Sequence, residues 1–140
     1  MFKILIIDPN KPFQQSLEKL LVKHFPSDDI EVAGDRNEGL KKIDTFDPHL
    51  ILLEIHLAGD SGLKLARKIK SEHPNVTIAL LTSNDLPEYH AAAKESGIEH
   101  LVPKDEWTGE DMVALVQSIV SNMKIEDASD RLKIEKNRYF

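Results

Sequence analysis

Four side chains that could take part in chemistry stand where predicted strands end. Asp8 follows an apolar run near the N-terminus, and Glu54 ends the third such run. Thr82 follows the fourth run and Lys104 the fifth. In an open parallel sheet, ligands collect at the carboxyl ends of the strands, beside the point where strand order reverses. Each residue alone would more often be structural, but their joint order predicts one shared site of two acids, a hydroxyl and an ammonium.

The segments between these residues predict the elements that position them. Five short apolar runs indicate strands, at residues 4–7, 30–33, 50–55, 76–81 and 100–102. Most are continuous in Ile, Leu and Val, which is typical of parallel strands covered by helices on both faces. Helical spacing of apolar residues follows each run, as at Phe13, Leu17 and Leu21. The predicted fold is therefore α/β and flavodoxin-like, a doubly wound, five-stranded parallel sheet in three layers.

Composition limits the classes of function. The chain has 140 residues, 41% of them hydrophobic and 30% charged, with a net charge of -6. There is no excess of Lys and Arg, so nucleic acid is not expected as a partner. The absence of cysteine excludes disulfides and thiolate chemistry, which suits the cytoplasm. The N-terminal apolar run is too short to span a bilayer and lacks the flanks of a signal peptide, so no membrane association is expected.

The strand and helix alternation predicts one domain over residues 1–123, followed by a C-terminal tail over residues 124–140. The tail breaks the alternation and carries charges of both signs. It places Ile125, Ala128, Leu132 and Tyr139 on a loose helical stripe, so we predict a further helix that docks on this domain or on a neighbour.

The segments KILIIDPN, LILLEIHLAGDSG, IALLTSND and SGIEHLVPKD resemble the four signature segments of response-regulator receiver domains, in the same order. The resemblance implies a domain of two-component or phosphorelay signal transduction. In that family, an acidic pair after the first strand and an Asp that ends the third strand hold Mg²⁺. The same Asp accepts a phosphoryl group from phosphohistidine, and Thr and Lys bind the phosphoryl oxygens. Such chemistry depends on positioning and charge neutralisation.

Two of the matching positions depart from the family pattern. Asp8 matches the first acid, Thr82 the hydroxyl and Lys104 the ammonium, whereas Pro9 replaces the second acid and Glu54 the phosphate acceptor. Pro9 offers neither a carboxylate nor an N–H, so Mg²⁺ binding is expected to be weak or absent, and no cofactor is expected. Glu54 extends its carboxylate by roughly 1.5 Å, and misplacement on that scale can cost about a hundredfold in rate. We therefore expect a degenerate acceptor site with no catalytic residue.

The longer Glu54 side chain has a second consequence. Its carboxylate can meet the ammonium of Lys104 directly and imitate the phosphorylated state in part, since a phosphate carries more charge and more acceptor oxygens. The family's switch uses an aromatic residue in the fifth strand, and this chain has Leu101 at that switch position. Phosphate-driven switching is therefore not expected.

Two aromatic residues are candidates for a partner face. Receiver domains use the face of the fourth helix, fifth strand and fifth helix for partners, and Tyr89 and Trp107 flank it in this sequence. Aromatic residues are enriched at binding hot spots, although core packing competes as an explanation. His56 lies two residues after Glu54 and is interpreted as an exposed loop histidine.

Three functions are compatible with these residues. We favour a pseudo-receiver, a non-enzymatic module for protein–protein interaction whose partner is a signalling protein or histidine kinase, or a second copy in a homodimer. The second is a phosphorelay receiver with weakened Mg²⁺-dependent phosphotransfer, which the retained Thr82 and Lys104 favour. The third is a small flavodoxin-like enzyme or ligand-binding protein. The absence of a Gly-rich phosphate loop after the first strand argues against this third function.

Overall fold

Seven strands form two sheets in the structure, a computed structural model that describes residues 1–123 of the chain. In chain order they are β1 (Lys3–Ile7), β2 (Asp29–Ala33), β3 (Leu50–Glu54), β4 (His56–Leu57), β5 (Asp60–Ser61), β6 (Thr77–Thr82) and β7 (His100–Pro103). Five are parallel and lie in the order β2-β1-β3-β6-β7, while β4 and β5 pair antiparallel as a separate hairpin. The predicted five-stranded parallel sheet is confirmed. Its strand order reverses between β1 and β3, so the crevice expected for a ligand lies at their carboxyl ends.

Four helices connect the strands: α1 (Lys11–His24), α2 (Arg36–Phe46), α3 (Gly62–Glu72) and α4 (Pro87–Glu95). These elements belong to one compact unit, Met1–Trp107, and a second unit begins at Thr108. In the second unit residues 109–123 are helical, and its buried side chains recur at helical spacing: Met112, Val116, Ile119 and Val120. The predicted tail over residues 124–140, with its helix, lies outside the described residues.

The core is built on the three inner strands, β1, β3 and β6. Nearly all of their residues are buried, which is why these strands are continuous in aliphatic residues. Helices α1 and α2 lie against β1 and β2, α3 lies against β3 and β6, and α4 lies against β7. Because every inner strand is fixed on both sides by its neighbours, the residues that follow these strands are held on a rigid support.

Six predicted strand limits are wrong by one residue: the strands extend one residue further than predicted at Lys3, Asp29, Thr82 and Pro103, and two predictions run one residue too far. The third strand ends at Glu54 and not at Ile55, and the fourth runs over Thr77–Thr82 and not from Val76. Ile55 and Val76 are nevertheless buried, at 4% and 6% exposure. An apolar run indicates burial and not strand geometry, and both residues lie in the core although they are outside the strands. Within residues 1–123, no helix has the length and apolar character needed to cross a membrane.

Candidate functional site

Asp8 directly follows β1 and is fully buried. Its backbone N–H donates to the carbonyl of Ala33 at 3.0 Å, and its Oδ1 accepts from the backbone N–H of Asn10 at 2.8 Å. The buried Gln14 side chain donates from Nε2 to the carbonyls of Asp8 and Ala33, at 3.1 and 2.9 Å. The backbone on both sides of the carboxylate is thereby fixed, which orients Oδ2 toward the strand-end crevice.

Glu54 is the last residue of β3, and it is only 5% exposed. Its Oε2 accepts from the backbone N–H of His56 at 3.1 Å. The start of α3 lies directly against this strand end, since Gly62 donates to the carbonyl of Ile55 at 2.6 Å. A Cβ at Gly62 would lie 2.0 Å from the carbonyl oxygen of Glu54, which is less than any real contact. Only glycine allows α3 to begin here without moving Glu54.

Lys104 follows β7 and joins the two acids. Its backbone N–H donates to the carbonyl of Thr82 at 2.8 Å, and its Nζ donates to Asp8 Oδ2 at 2.8 Å and to Glu54 Oε1 at 2.9 Å. The side chains are 6%, 0% and 7% exposed for Lys104, Asp8 and Glu54. This arrangement, here named the ammonium bridge, is a buried cluster of one positive and two negative charges. It connects the carboxyl ends of β1, β3 and β7.

The electrostatics of the bridge favour the charged lysine. Burial lowers the pKa of Lys104, but hydrogen bonds to Asp8 and Glu54, with the attraction of their charges, outweigh it and raise the pKa above its usual value. The ammonium Nζ also lies 4.0 Å from the ring centroid of Phe13, a distance typical of a cation–π contact. Lys104 therefore stays protonated at neutral pH.

Thr82 and Pro9 stand beside the bridge without joining it. Thr82 ends β6 and is fully buried. Its hydroxyl donates to the carbonyl of Asn84 at 2.9 Å and accepts from the N–H of Asn84 at 3.0 Å, so both functions are used in the local turn. Pro9 is half-buried between Asp8 and Asn10. Its ring provides no oxygen ligand and no N–H to the crevice.

The oxygens at the site are already engaged. Asp8 accepts from Asn10 and Lys104, and Glu54 accepts from His56 and Lys104, so each of the four carboxylate oxygens has a donor. Within residues 1–123, no group of three or more His, Asp or Glu side chains is placed to hold a metal ion. A divalent cation at these oxygens would share them with the ammonium, whose positive charge would repel it.

Comparison with known proteins decides the family. The profile described as "Response regulator receiver domain" matches residues 4–117. The chain belongs to this family. The prediction of a receiver domain of a two-component system is confirmed at that level.

Individual relatives agree with the assignment. The response regulator MprA of Mycobacterium bovis is 25% identical over 130 residues, which cover 93% of this chain and 55% of that protein. The chain thus spans about half the length of the curated relatives it matches. A two-component response regulator from Clostridium difficile has a TM-score of 0.80 at 29% identity, covering 88% of this chain and 98% of that structure. A CheY-like receiver domain protein from Methanospirillum hungatei has a TM-score of 0.81 at 22% identity, covering 90% and 98%. These structures confirm the three-layer, flavodoxin-like fold.

The remaining predicted positions of the receiver domain lie outside the bridge. Leu101, at the switch position in β7, is partly buried against the core. Tyr89 in α4 also packs against the core, and its hydroxyl lies 3.2 Å from Nε2 of the exposed His56. Trp107 is half-buried, and its backbone N–H donates to the carbonyl of Pro103 at 3.2 Å. Tyr89 therefore has a structural role in addition to the predicted role in a partner face.

Sequence reasoning missed three residues that hold the bridge in place. The helical periodicity places Phe13 only in the apolar stripe of α1 and predicts no role for Asn10 or Gln14. Asn10 is the N-cap of α1 and accepts from the N–H of Phe13 at 3.1 Å, which fixes the helix start beside Asp8. An Asn directly before Lys-Pro is a recognisable helix start, but the periodicity of α1 gives no signal that Phe13 faces a cation.

Proposed function

We propose that this chain is an atypical receiver domain, a non-enzymatic module for protein–protein interaction that does not undergo normal phosphorylation at the acceptor position. The ammonium bridge is the observation that carries the proposal. In the receiver-domain pattern that this chain resembles, the Lys binds a phosphoryl group on the acceptor. In this chain Lys104 instead binds the carboxylate at the acceptor position, with Nζ 2.9 Å from Glu54 Oε1. A phosphoryl group would have to compete with the Glu54 carboxylate for the Lys104 ammonium.

Weak Mg²⁺ binding is part of the same proposal. Mg²⁺ demands near-octahedral oxygen coordination at short distances. Asp8 and Glu54 are the two carboxylates of the site, Pro9 adds none, and all four of their oxygens accept hydrogen bonds. This donor set does not fit a resident Mg²⁺, because the ammonium of Lys104 already neutralises part of the charge that would attract the ion.

A constant conformation follows from the bridge. It joins the ends of three strands, and its contact between Glu54 and Lys104 resembles in part the contact that an acceptor phosphate would make. We propose that the domain presents this one conformation to a signalling-protein partner, such as a histidine kinase, without a phosphate-driven switch through Leu101. The whole protein's output is a separate matter, since the chain spans about half the length of its curated relatives.

The proposal is tested by treating the purified chain with Mg²⁺ and acetyl phosphate and measuring intact mass. We expect no phosphoryl adduct on the native chain. Stoichiometric gain of one phosphoryl group would overturn the proposal and favour a working phosphorelay receiver with weakened chemistry.

Two variants serve as matched controls for that reaction. The double substitution Pro9→Asp with Glu54→Asp restores both acids and shortens the acceptor away from Lys104, so it is expected to gain one Mg²⁺-dependent phosphoryl group. Pro9→Asp alone restores an acid but leaves Glu54 on the ammonium, and it is expected to stay unmodified. Phosphorylation of this single variant would show that the metal ligand, and not the bridge, limits the reaction.

A further inference from the structure

Phe13 lies at an unusual place for a residue of an apolar helix stripe. It is in the first turn of α1, where its N–H bonds the Asn10 side chain, and Pro12 stiffens the same turn. The ring is half-buried, and the Nζ of Lys104 lies 4.0 Å from its centroid. The position of the ring is thus set by a capped and proline-stiffened helix start, and not by a flexible loop.

The coordination of the ammonium shows what the ring contributes. A lysine ammonium has three N–H donors. Two of them are used by Asp8 and Glu54, which leaves capacity for one further ligand. The negative face of an aromatic ring can satisfy a cation in that position. The Lys104 side chain is only 6% exposed, so the carboxylates and their surroundings leave little access for solvent.

We propose that Phe13 is a positioning residue that closes the free side of the Lys104 ammonium and holds it against Glu54. The inference deepens the proposed function and rests on it, because it names what keeps the bridge closed to incoming anions. Phe13 stabilises the charge and also occupies space next to it. Leucine at the same position would keep apolar bulk but lose the ring face, whereas tyrosine would keep the ring face.

Competitive labelling of amines tests this role. The native chain, Phe13→Leu and Phe13→Tyr are treated at pH 8 with a trace of an acetylating N-hydroxysuccinimide ester, and acetylation at each lysine is followed by peptide mass spectrometry. Loss of the ring face lowers the pKa of Lys104 and so increases its reactive neutral form. We expect Phe13→Leu to raise the Lys104 rate about 2.5-fold to about 30-fold. Phe13→Tyr should stay within about twofold of the native rate, as expected when the ring face is kept.

Lys70 is the internal control, since its side chain is 15% exposed and it pairs with Glu99 far along the chain from Phe13. Its rate should be the same in all three proteins. An unchanged Lys104 rate in Phe13→Leu, equal rates in the leucine and tyrosine variants, or a parallel rise at Lys70 would each overturn the inference in favour of simple packing. No phosphodonor is used, so phosphorylation of the native chain would refute the proposed function without affecting this result.

Discussion

Substitution Lys104→Met tests the ammonium bridge as a structural element. Methionine keeps the apolar stem of the lysine but removes the charge, which leaves the carboxylates of Asp8 and Glu54 buried together. Breaking a buried ion pair by removing one partner typically costs about 3–5 kcal/mol. Each carboxylate keeps one backbone donor, from Asn10 or His56, so the cost should fall in the lower part of that range. The three side chains of the bridge are at most 7% exposed, so little solvent screening reduces it.

Urea denaturation at pH 7, followed by circular dichroism, measures the loss. For a domain of this size, the free energy of unfolding falls by about 2 kcal/mol per molar urea. A loss of about 3 kcal/mol therefore lowers the midpoint by about 1.5 M. The slope should be unchanged, because the folded state buries the same surface.

Two further variants decide whether the loss comes from unpaired charge. Lys42→Met removes a lysine whose pair with Glu31 is 30% and 42% exposed, and it should cost less than about 1 kcal/mol. Adding Asp8→Asn and Glu54→Gln to Lys104→Met neutralises both acids and should recover about half the loss or more. A loss below about 1 kcal/mol for Lys104→Met, or no recovery in the triple variant, would refute a buried ion-pair network.

Two more outcomes follow from the same site. Because the pKa of Lys104 is raised in the folded chain, its pairing stabilises fully below the unfolded lysine value of about 10.4 and is lost as pH rises through the higher folded value. The stability difference between the native chain and Lys104→Met should therefore narrow above about pH 10, as urea midpoints across that range would show; a constant difference would contradict the pairing. Gly62→Ala places a Cβ 2.0 Å from the carbonyl oxygen of Glu54 and should cost at least about 1–3 kcal/mol. Gly34→Ala is the control, because the atom nearest to its added Cβ belongs to the flexible Glu38 side chain, at 3.8 Å. Thermal melting should show a much smaller loss of stability for this control than for Gly62→Ala.

The sheet could be predicted because its inner strands have no exposed face. In β1, β3 and β6, burial from both sides requires continuous aliphatic residues, and that pattern is legible in one sequence. The same property made the limits wrong at Ile55 and Val76, since burial continues where the strand does not. The edge strands β2 and β7 are only partly buried, so they contain polar residues such as Glu31 and His100 and give a weaker signal.

The membership of the site and the contact between Glu54 and Lys104 were predictable, but the other contacts were not. Strand ends place Asp8, Glu54 and Lys104 at one edge of the sheet, and the structure brings these three within hydrogen-bond distance. Thr82 is at the same edge, yet its hydroxyl forms hydrogen bonds with the backbone of Asn84 in the turn after β6. These bonds depend on local backbone geometry, which the sequence does not reveal. The orientation of Phe13 likewise depends on where α1 begins.

The bridge gives a reason for resisting phosphate that is separate from the missing metal ligand. A phosphoryl group that binds Lys104 must first displace Glu54, which is covalently held in place and loses little entropy in pairing. The displaced carboxylate would remain buried beside Asp8 with one backbone donor, a state that is costly for a charge in a site almost free of solvent. An added metal-binding acid at position 9 changes neither the pairing of Glu54 with Lys104 nor the cost of leaving the Glu54 carboxylate buried without that partner. Shortening Glu54 removes the competitor for the ammonium, and the acid at position 9 supplies the missing metal ligand, so phosphorylation is expected only when both positions change.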